Sequence, residues 1–145
     1  MSLYLTFQGR AGYNSAPGTE LSTRPILEVA VGGQSTTAYL DTGMPCVVCP
    51  PDFAAKVLKL DPAKGSEEEA RIRGVVVKGR IHNASVHFIA DEGMPVVLAN
   101  AVVFVPNSAA DVGPDLTMHS FLGMARCLNE IIFGVDPLME TFYFK

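Results

Sequence analysis

The chain has 145 residues, of which 48% are hydrophobic and 18% charged, and its formal net charge is −4. These values predict one folded domain spanning residues 1–145 and exclude a disordered chain. The lysines and arginines are scattered along an acidic chain, which argues against a nucleic-acid partner. No apolar run reaches the roughly 18 residues of a membrane span and no secretory leader is visible, so we expect no membrane contact and a cytoplasmic location.

The N-terminal third of the chain predicts strands that are separated by loops. Residues 3–7 form an apolar run that predicts a strand, and residues 12–23, rich in glycine, serine and proline, predict a loop. Residues 26–31 alternate apolar and polar side chains, as a half-buried strand does. A Gly-Gly pair then predicts a tight hairpin turn into a returning strand at residues 35–40.

The returning strand ends at a conspicuous triplet, because residues 41–43 are Asp-Thr-Gly. A second apolar run, at residues 47–48, follows it closely. Three common residues in this order arise often by chance, so the triplet alone carries little weight. Far downstream, residues 121–123 are Phe-Leu-Gly, which is a second pattern of two apolar residues followed by a glycine.

The middle of the chain predicts a short helix followed by a long hairpin. Residues 53–60 place apolar side chains at helical spacing, and Asp52 is the predicted N-cap. Residues 71–77 and 80–90 are two β-like runs, and Lys78-Gly79 between them predicts the turn.

The last part of the chain predicts strands and a second short helix. Residues 96–105 form a strongly apolar β-stretch. Residues 124–130 follow the Phe-Leu-Gly pattern and place apolar side chains at helical spacing. Residues 131–135 and 141–144 predict a closing hairpin.

The two linked patterns, in this order and at this spacing, resemble the retropepsin-like aspartic proteases, which are single-domain relatives of pepsin. The order of the predicted elements resembles that family over nearly the whole chain. The resemblance implies an all-β fold, namely a closed retropepsin-like β-barrel with one or two short helices. It also implies a C2 homodimer, because the chain offers one Asp-Thr-Gly and the family needs two.

The resemblance implies an aspartic endopeptidase in which two carboxylates share one proton around a water molecule. Each subunit would supply one Asp41 to this pair. Thr42 would form hydrogen bonds across the interface and brace the two turns, and Gly43 would leave its backbone N–H free to approach the carboxylates. The implied partners are a second copy of the chain and a peptide or protein substrate, with no metal and no organic cofactor.

In this family the hairpin after the first helix is a flap that closes over bound peptide. Gly74 and Gly79 would be its flexible points, and Gly123 would let the chain pass close behind the catalytic turn. These three glycines are therefore the substrate-binding residues that the resemblance implies. The alternative is that Gly74 and Gly79 merely serve turns and β-bulges.

One position departs from the family pattern. The residue after Asp-Thr-Gly is usually alanine or serine, whereas this chain has Met44 followed by Pro45. A bulky side chain there would narrow the site, which favours an alternative: a retropepsin-like dimer that binds peptides and does not cleave them. A third interpretation is a β-barrel binding domain in which the triplet is accidental.

The cysteines and histidines raise the question of a metal or redox site. Cys46 and Cys49 form a C-x-x-C pattern, but residues three apart on an extended strand face opposite sides, and the remaining thiol is Cys127. His82 and His87 face opposite sides of one predicted strand for the same reason. We therefore expect small buried thiols in a reduced protein and no metal site.

Overall fold

The computed structural model describes residues 7–16, 24–61, 64–113 and 119–145. These residues are mostly β-strand, with one α-helix of six residues. The predicted strand at residues 3–7 lies outside the described residues, apart from its last position. The bounds of the elements are β1 Gly9–Gly12, β2 Asn14–Ala16, β3 Arg24–Val31, β4 Gln34–Leu40, β5 Val47–Val48, α1 Pro51–Lys56, β6 Ser66–Ile72, β7 Val75–Phe88, β8 Glu92–Gly93, β9 Val96–Pro106, β10 Ser120–Leu122, β11 Phe133–Asp136 and β12 Thr141–Phe144.

Six of these strands close into a barrel. Strands β3, β4, β10, β5, β9 and β7 are hydrogen-bonded in that order, and β7 pairs in turn with β3. The pairing of Ala30 with His87 is part of this closure. Strands β2 and β6 extend the sheet beyond β3 and β7, and β11, β12, β1 and β8 form a second sheet. The closed barrel confirms the all-β fold class predicted from the sequence.

The hairpin of β3 and β4 delivers the chain to residue 41. Gly32 and Gly33 form its two-residue turn, with φ angles of 58° and 80°. Both angles lie in the left-handed region, which glycine adopts without the strain that a Cβ would bring. The register places Leu27 opposite Ala38, and both side chains are buried in the core. This hairpin is confirmed as the sequence predicts it.

The loop predicted at residues 12–23 contains a short strand. Strand β2 lies inside it and pairs with the beginning of β3, where Ser15 is opposite Pro25. Pro25 lacks a backbone N–H, but proline is tolerated near the start of a strand. Residues 17–23 lie outside the described residues.

The hairpin of β6 and β7 turns at a different place from the one predicted. Its register runs to Ile72 opposite Val75, so the turn consists of Arg73 and Gly74. Both turn residues have positive φ angles, of 50° and 80°, as this tight turn requires. The predicted turn at Lys78-Gly79 is therefore wrong, since both residues lie within β7.

Gly79 allows two strands to approach closely and does not form a turn. A Cβ at this position would lie 2.7 Å from the Phe104 ring and would collide with the carbonyl oxygen of Val105 on β9. Only a residue without a Cβ fits there. A Lys-Gly pair therefore looks like a turn in the sequence, although the neighbouring strand is what requires the glycine.

The first helix begins earlier than predicted. It runs over Pro51–Lys56, with Pro50 at the N-cap position, so the prediction of Asp52 as N-cap is wrong. Proline fixes φ near its helical value and lacks an N–H that would be unpaired in the first turn, which favours Pro51 at the start. Asp52 instead lies in the first turn of the helix.

The second predicted helix, at residues 124–130, does not form as an α-helix. The segment consists of turns and a 3₁₀ helix at Leu128–Glu130. Its first backbone N–H groups, those of Met124 and Ala125, donate to the carbonyls of Met44 and Pro45. Contacts with the segment after residue 43 therefore override the helical spacing of the sequence.

Two hydrophobic clusters fill the interior. The larger cluster packs the inner faces of β3, β7 and β9 against the second sheet, where Phe88 and Phe142 stack with ring centroids 6.0 Å apart. The smaller cluster lies beneath residue 41 and consists of the buried residues Tyr39, Met44, Cys46, Val48, Ile72, Val77, Phe104 and Phe121. Burial of side chains of this size stabilises the fold by about 1.5–3 kcal/mol each.

No helix within the described ranges has the length and apolar character that crossing a membrane requires.

Candidate active site

Asp41 lies where two distant parts of the chain run side by side. Strand β10 is inserted next to β4 in parallel, with Phe121 opposite Tyr39 and Leu122 opposite Leu40. The chain leaves β4 at this point, and the backbone N–H of Asp41 donates to the carbonyl of Leu122 at 3.1 Å. The two sequence patterns at residues 41–43 and 121–123 are therefore direct neighbours in space.

The turn at residues 41–43 fixes the orientation of the Asp41 carboxylate. The backbone N–H of Gly43 donates to Asp41 Oδ1 at 2.9 Å, and the N–H of Met44 donates to the Asp41 carbonyl at 3.1 Å. A Cβ on Gly43 would lie only 3.2 Å from Asp41 Oδ1, so a larger residue would crowd this hydrogen bond. The Asp41 side chain is 17% exposed, while Thr42 and Gly43 are exposed. The turn thus presents one oriented carboxylate at the surface of the chain.

Gly123 lets the chain pass directly behind this turn. A Cβ at this position would collide with the backbone of Cys46. Immediately after it, the N–H groups of Met124 and Ala125 donate to the carbonyls of Met44 and Pro45, at 3.1 and 2.8 Å. These contacts brace the turn from behind and require glycine at position 123.

Met44 fills the core and does not narrow the site. Its side chain is 2% exposed and packs in the smaller cluster with Tyr39 and Phe121. A side chain that is buried within a single chain does not occupy an open cleft. The steric conflict that the sequence suggested at this position is therefore absent.

Two arginines approach the second oxygen of the carboxylate, and neither was predicted from the sequence. Arg73 Nη2 lies 3.4 Å and Arg24 Nη1 3.6 Å from Asp41 Oδ2. The Arg24 guanidinium also lies 4.5 Å from the centroid of the Tyr39 ring, and the Arg73 guanidinium 5.5 Å from that of Phe121. The Arg73-Gly74 pair could have indicated a hairpin turn that carries an arginine at its tip. The turn was instead predicted at Lys78-Gly79.

The whole architecture is similar to one solved by crystallography, a retropepsin-like aspartic protease from Rickettsia conorii. The two structures match with a TM-score of 0.62 over 94% of this chain and 89% of that chain, at 16% sequence identity. No protein-family model matches the sequence, and no curated protein matches it. The fold is retropepsin-like. At this identity the match establishes the fold, and any argument about activity depends on the geometry of the site.

Within the retropepsin-like fold, the three glycines predicted to bind substrate occupy different positions. Gly74 lies in the turn of the β6–β7 hairpin, next to Arg73, whose guanidinium contacts Asp41. Gly123 lies behind the turn at residues 41–43, whereas Gly79 lies inside β7 against β9. A role in binding peptide stays a prediction for all three.

His119 is held against β4, near the end that carries Asp41. Its Nδ1 forms a 2.6 Å hydrogen bond with the hydroxyl of Thr37, and its ring meets the Tyr39 ring edge-on, with centroids 5.0 Å apart. Through these contacts, His119 packs against β4 of the retropepsin-like barrel. They orient Tyr39, on whose ring the Arg24 guanidinium lies.

The three thiols are buried in the retropepsin-like core. Cys46, Cys49 and Cys127 are all free, and burial raises their pKa values from 9.0 to about 11, 12 and 12 respectively. Burial disfavours the charged form of a histidine and therefore lowers the pKa of His82. The described residues contain no group of three His, Cys, Asp or Glu side chains that is placed to hold a metal. Protonated, inaccessible thiols are the state expected of small buried hydrophobic residues.

Proposed function

We propose that this chain is the subunit of a homodimeric aspartic endopeptidase. Two Asp41 carboxylates, one from each subunit, would activate a water molecule that hydrolyses a peptide bond. The observation that carries the proposal is the oriented Asp41 carboxylate in the turn between β4 and β5. It is fixed by the N–H of Gly43, braced by β10 and partly open to solvent in a retropepsin-like fold.

The chemistry follows from two carboxyl groups that share one proton. Like charges about 3 Å apart do not both ionise, so the pair holds one proton and titrates as a unit. The ionised member takes a proton from water as the water oxygen attacks the scissile carbonyl, which the protonated member polarises. The carbon–nitrogen bond then breaks as the amine nitrogen receives a proton from the pair.

The exposed residues of the turn support assembly around this pair. Thr42 is exposed in the isolated subunit, and in the proposed dimer its hydroxyl bonds to the turn of the other subunit. Such a contact would hold the two turns in register and bring the carboxylates together. The predicted cytoplasmic location is compatible with three free thiols and stays a prediction.

The hairpin of β6 and β7 is the proposed flap. The Arg73 side chain in its turn reaches Asp41, and the two residues after the turn, Val75 and Val76, have exposed apolar side chains. A peptide lying extended between this tip and Asp41 would bind through backbone hydrogen bonds and apolar contacts. The flap would then exclude water from the reacting bond.

A second candidate function is a peptide-binding dimer that does not cleave. The observation that favours it is the pair of arginines on Asp41 Oδ2, because guanidinium groups occupy the place where a second carboxylate and a water must act. This candidate keeps the fold, the dimer and the cleft, and it lacks turnover.

Cleavage of a mixed peptide library between about pH 3 and 7 separates these candidates. The wild type is compared with Asp41→Asn and with Asp111→Asn, a matched loss of an exposed carboxylate outside the site. The proposal predicts cleavage by the wild type and Asp111→Asn, none by Asp41→Asn, and inhibition by a statine-containing peptide. A folded dimer that binds peptide without cleaving it supports the second candidate, and a monomer that binds no peptide contradicts both.

A further inference from the structure

The tip of the proposed flap carries a cation that is placed on the candidate catalytic carboxylate. Arg73 Nη2 lies 3.4 Å from Asp41 Oδ2, and among the described residues Asp41 is the carboxylate with which Arg73 forms an ion pair. The Arg73 side chain is 47% exposed, so water and ligands reach the guanidinium. Its other described contact is with the Phe121 ring, beneath it.

The backbone of the hairpin determines where this arginine lies. Ile72, just before the turn, is buried in the smaller cluster together with Phe121, which anchors the tip above β10. On β6, Arg71 Nη1 donates to the carbonyl of Gly74 in the turn at 3.4 Å. The backbone of Arg73 is thus held in a fixed position above the site. Its long side chain is flexible and can pair with different nearby anions.

A bound peptide must separate Arg73 from Asp41. In the proposed reaction the scissile bond and the water lie on the Asp41 carboxylate, beneath the flap tip, where the guanidinium lies in this structure. A neutral peptide would break the ion pair and give Arg73 no anion in return. A peptide with a carboxylate near the scissile bond replaces the lost partner, and this difference between the two peptides is what makes a site selective.

We infer that Arg73 is a specificity-determining residue that selects substrates with an aspartate or glutamate close to the scissile bond. This inference rests on the proposed function and names its substrate class: acidic peptide segments. Val75 and Val76 are exposed on opposite faces of β7, so one of them would offer an apolar contact to the same peptide. Arg73 itself acts on the substrate side chain and takes no part in bond cleavage.

The test uses pairs of peptides that are identical except for glutamate or glutamine at one position, placed in turn at each site flanking the cleaved bond. The full chain is compared with Arg73→Gln, Arg73→Lys and the control Lys78→Gln, which removes a positive charge from an exposed position on the same hairpin. Cleavage gives kcat/KM for each pair. Reduced-amide analogues, which cannot be cleaved, give Kd for the same pairs by titration calorimetry.

We expect the wild type and Lys78→Gln to prefer the glutamate peptide about tenfold in kcat/KM and Kd at one flanking position. Arg73→Gln should lose this preference, and Arg73→Lys should keep part of it, because the charge remains. Equal values for both peptides in the wild type, or an unchanged preference in Arg73→Gln, would overturn the inference. Failure to cleave any peptide, with the glutamate preference in Kd intact, would overturn the proposed catalysis and leave the role of Arg73 standing.

Discussion

The backbone N–H of Asp41 donates a 3.1 Å hydrogen bond to the carbonyl of Leu122, which joins the end of β4 to the end of β10. This bond continues the parallel pairing in which Leu122 lies opposite Leu40. It fixes the point along β4 at which the chain leaves the barrel. The position of the Asp41 carboxylate is fixed with it. The residue after Leu122, Gly123, then passes behind the turn at residues 41–43.

Replacement of Gly123 by alanine should destabilise the fold strongly. The new Cβ would collide with the Cys46 backbone, and backbone yields less easily than a flexible side chain. We expect the free energy of unfolding in urea to fall by about 2–4 kcal/mol. Gly12→Ala is the control, because its Cβ would lie 3.7 Å from the nearest atom, a side-chain oxygen of Asp91. Equal, small effects at both positions would contradict the close passage.

Replacement of Met44 by alanine should cost stability and should not increase activity. Met44 is 2% exposed in the smaller cluster, so truncation leaves a cavity that costs about 2–5 kcal/mol. Met139→Ala, at a side chain that is 72% exposed, should change stability little. Urea unfolding and kcat/KM on one peptide are measured for each variant. A Met44→Ala protein that remains stable and cleaves faster would show that methionine narrows the cleft after all.

The buried thiols should make stability fall at alkaline pH. Burial raises the pKa values of Cys46, Cys49 and Cys127 from 9.0 to about 11, 12 and 12. Above about pH 9 the unfolded chain loses thiol protons that the folded chain keeps, so the free energy of unfolding decreases as the pH rises. The stabilisation is complete below pH 9 and declines towards the folded pKa values.

Urea unfolding between about pH 7.5 and 10.5 measures this decline. Cys127→Ala removes one of the three titrating thiols, so its stability should fall less steeply than that of the wild type, whatever its starting value. In the native protein, a thiol reagent at pH 8 should react far more slowly than in urea. Rapid reaction of all three native thiols would contradict their burial.

The sequence predicted those parts of the fold that local patterns determine. The Gly32-Gly33 turn requires positive φ angles at both positions, and a pair of glycines in the sequence indicates such a turn directly. Asp-Thr-Gly and Phe-Leu-Gly also stood out, and the resemblance they carried led to the retropepsin-like barrel that the structure shows.

The missed features depend on contacts between segments that are distant in sequence. Gly79 marks a close approach of β7 to β9, which no local pattern distinguishes from a turn. Residues 124–130 have helical spacing, but the backbone N–H groups of Met124 and Ala125 bond to the segment after the turn at residues 41–43. Arg73 reaches Asp41 because the β6–β7 hairpin turns at Arg73 and Gly74. The sequence predicted this turn at Lys78-Gly79, which placed Arg73 within a strand.

The proposed enzyme requires two Asp41 carboxylates in one shared site, and mixed dimers test this requirement. Wild-type and Asp41→Asn subunits are unfolded together in equal amounts and refolded, and peptide cleavage is measured against unmixed wild type at the same total concentration. A shared site predicts about one quarter of the wild-type activity, because only dimers with two aspartates cleave. Half of the wild-type activity would mean that each subunit acts alone, and would contradict the account.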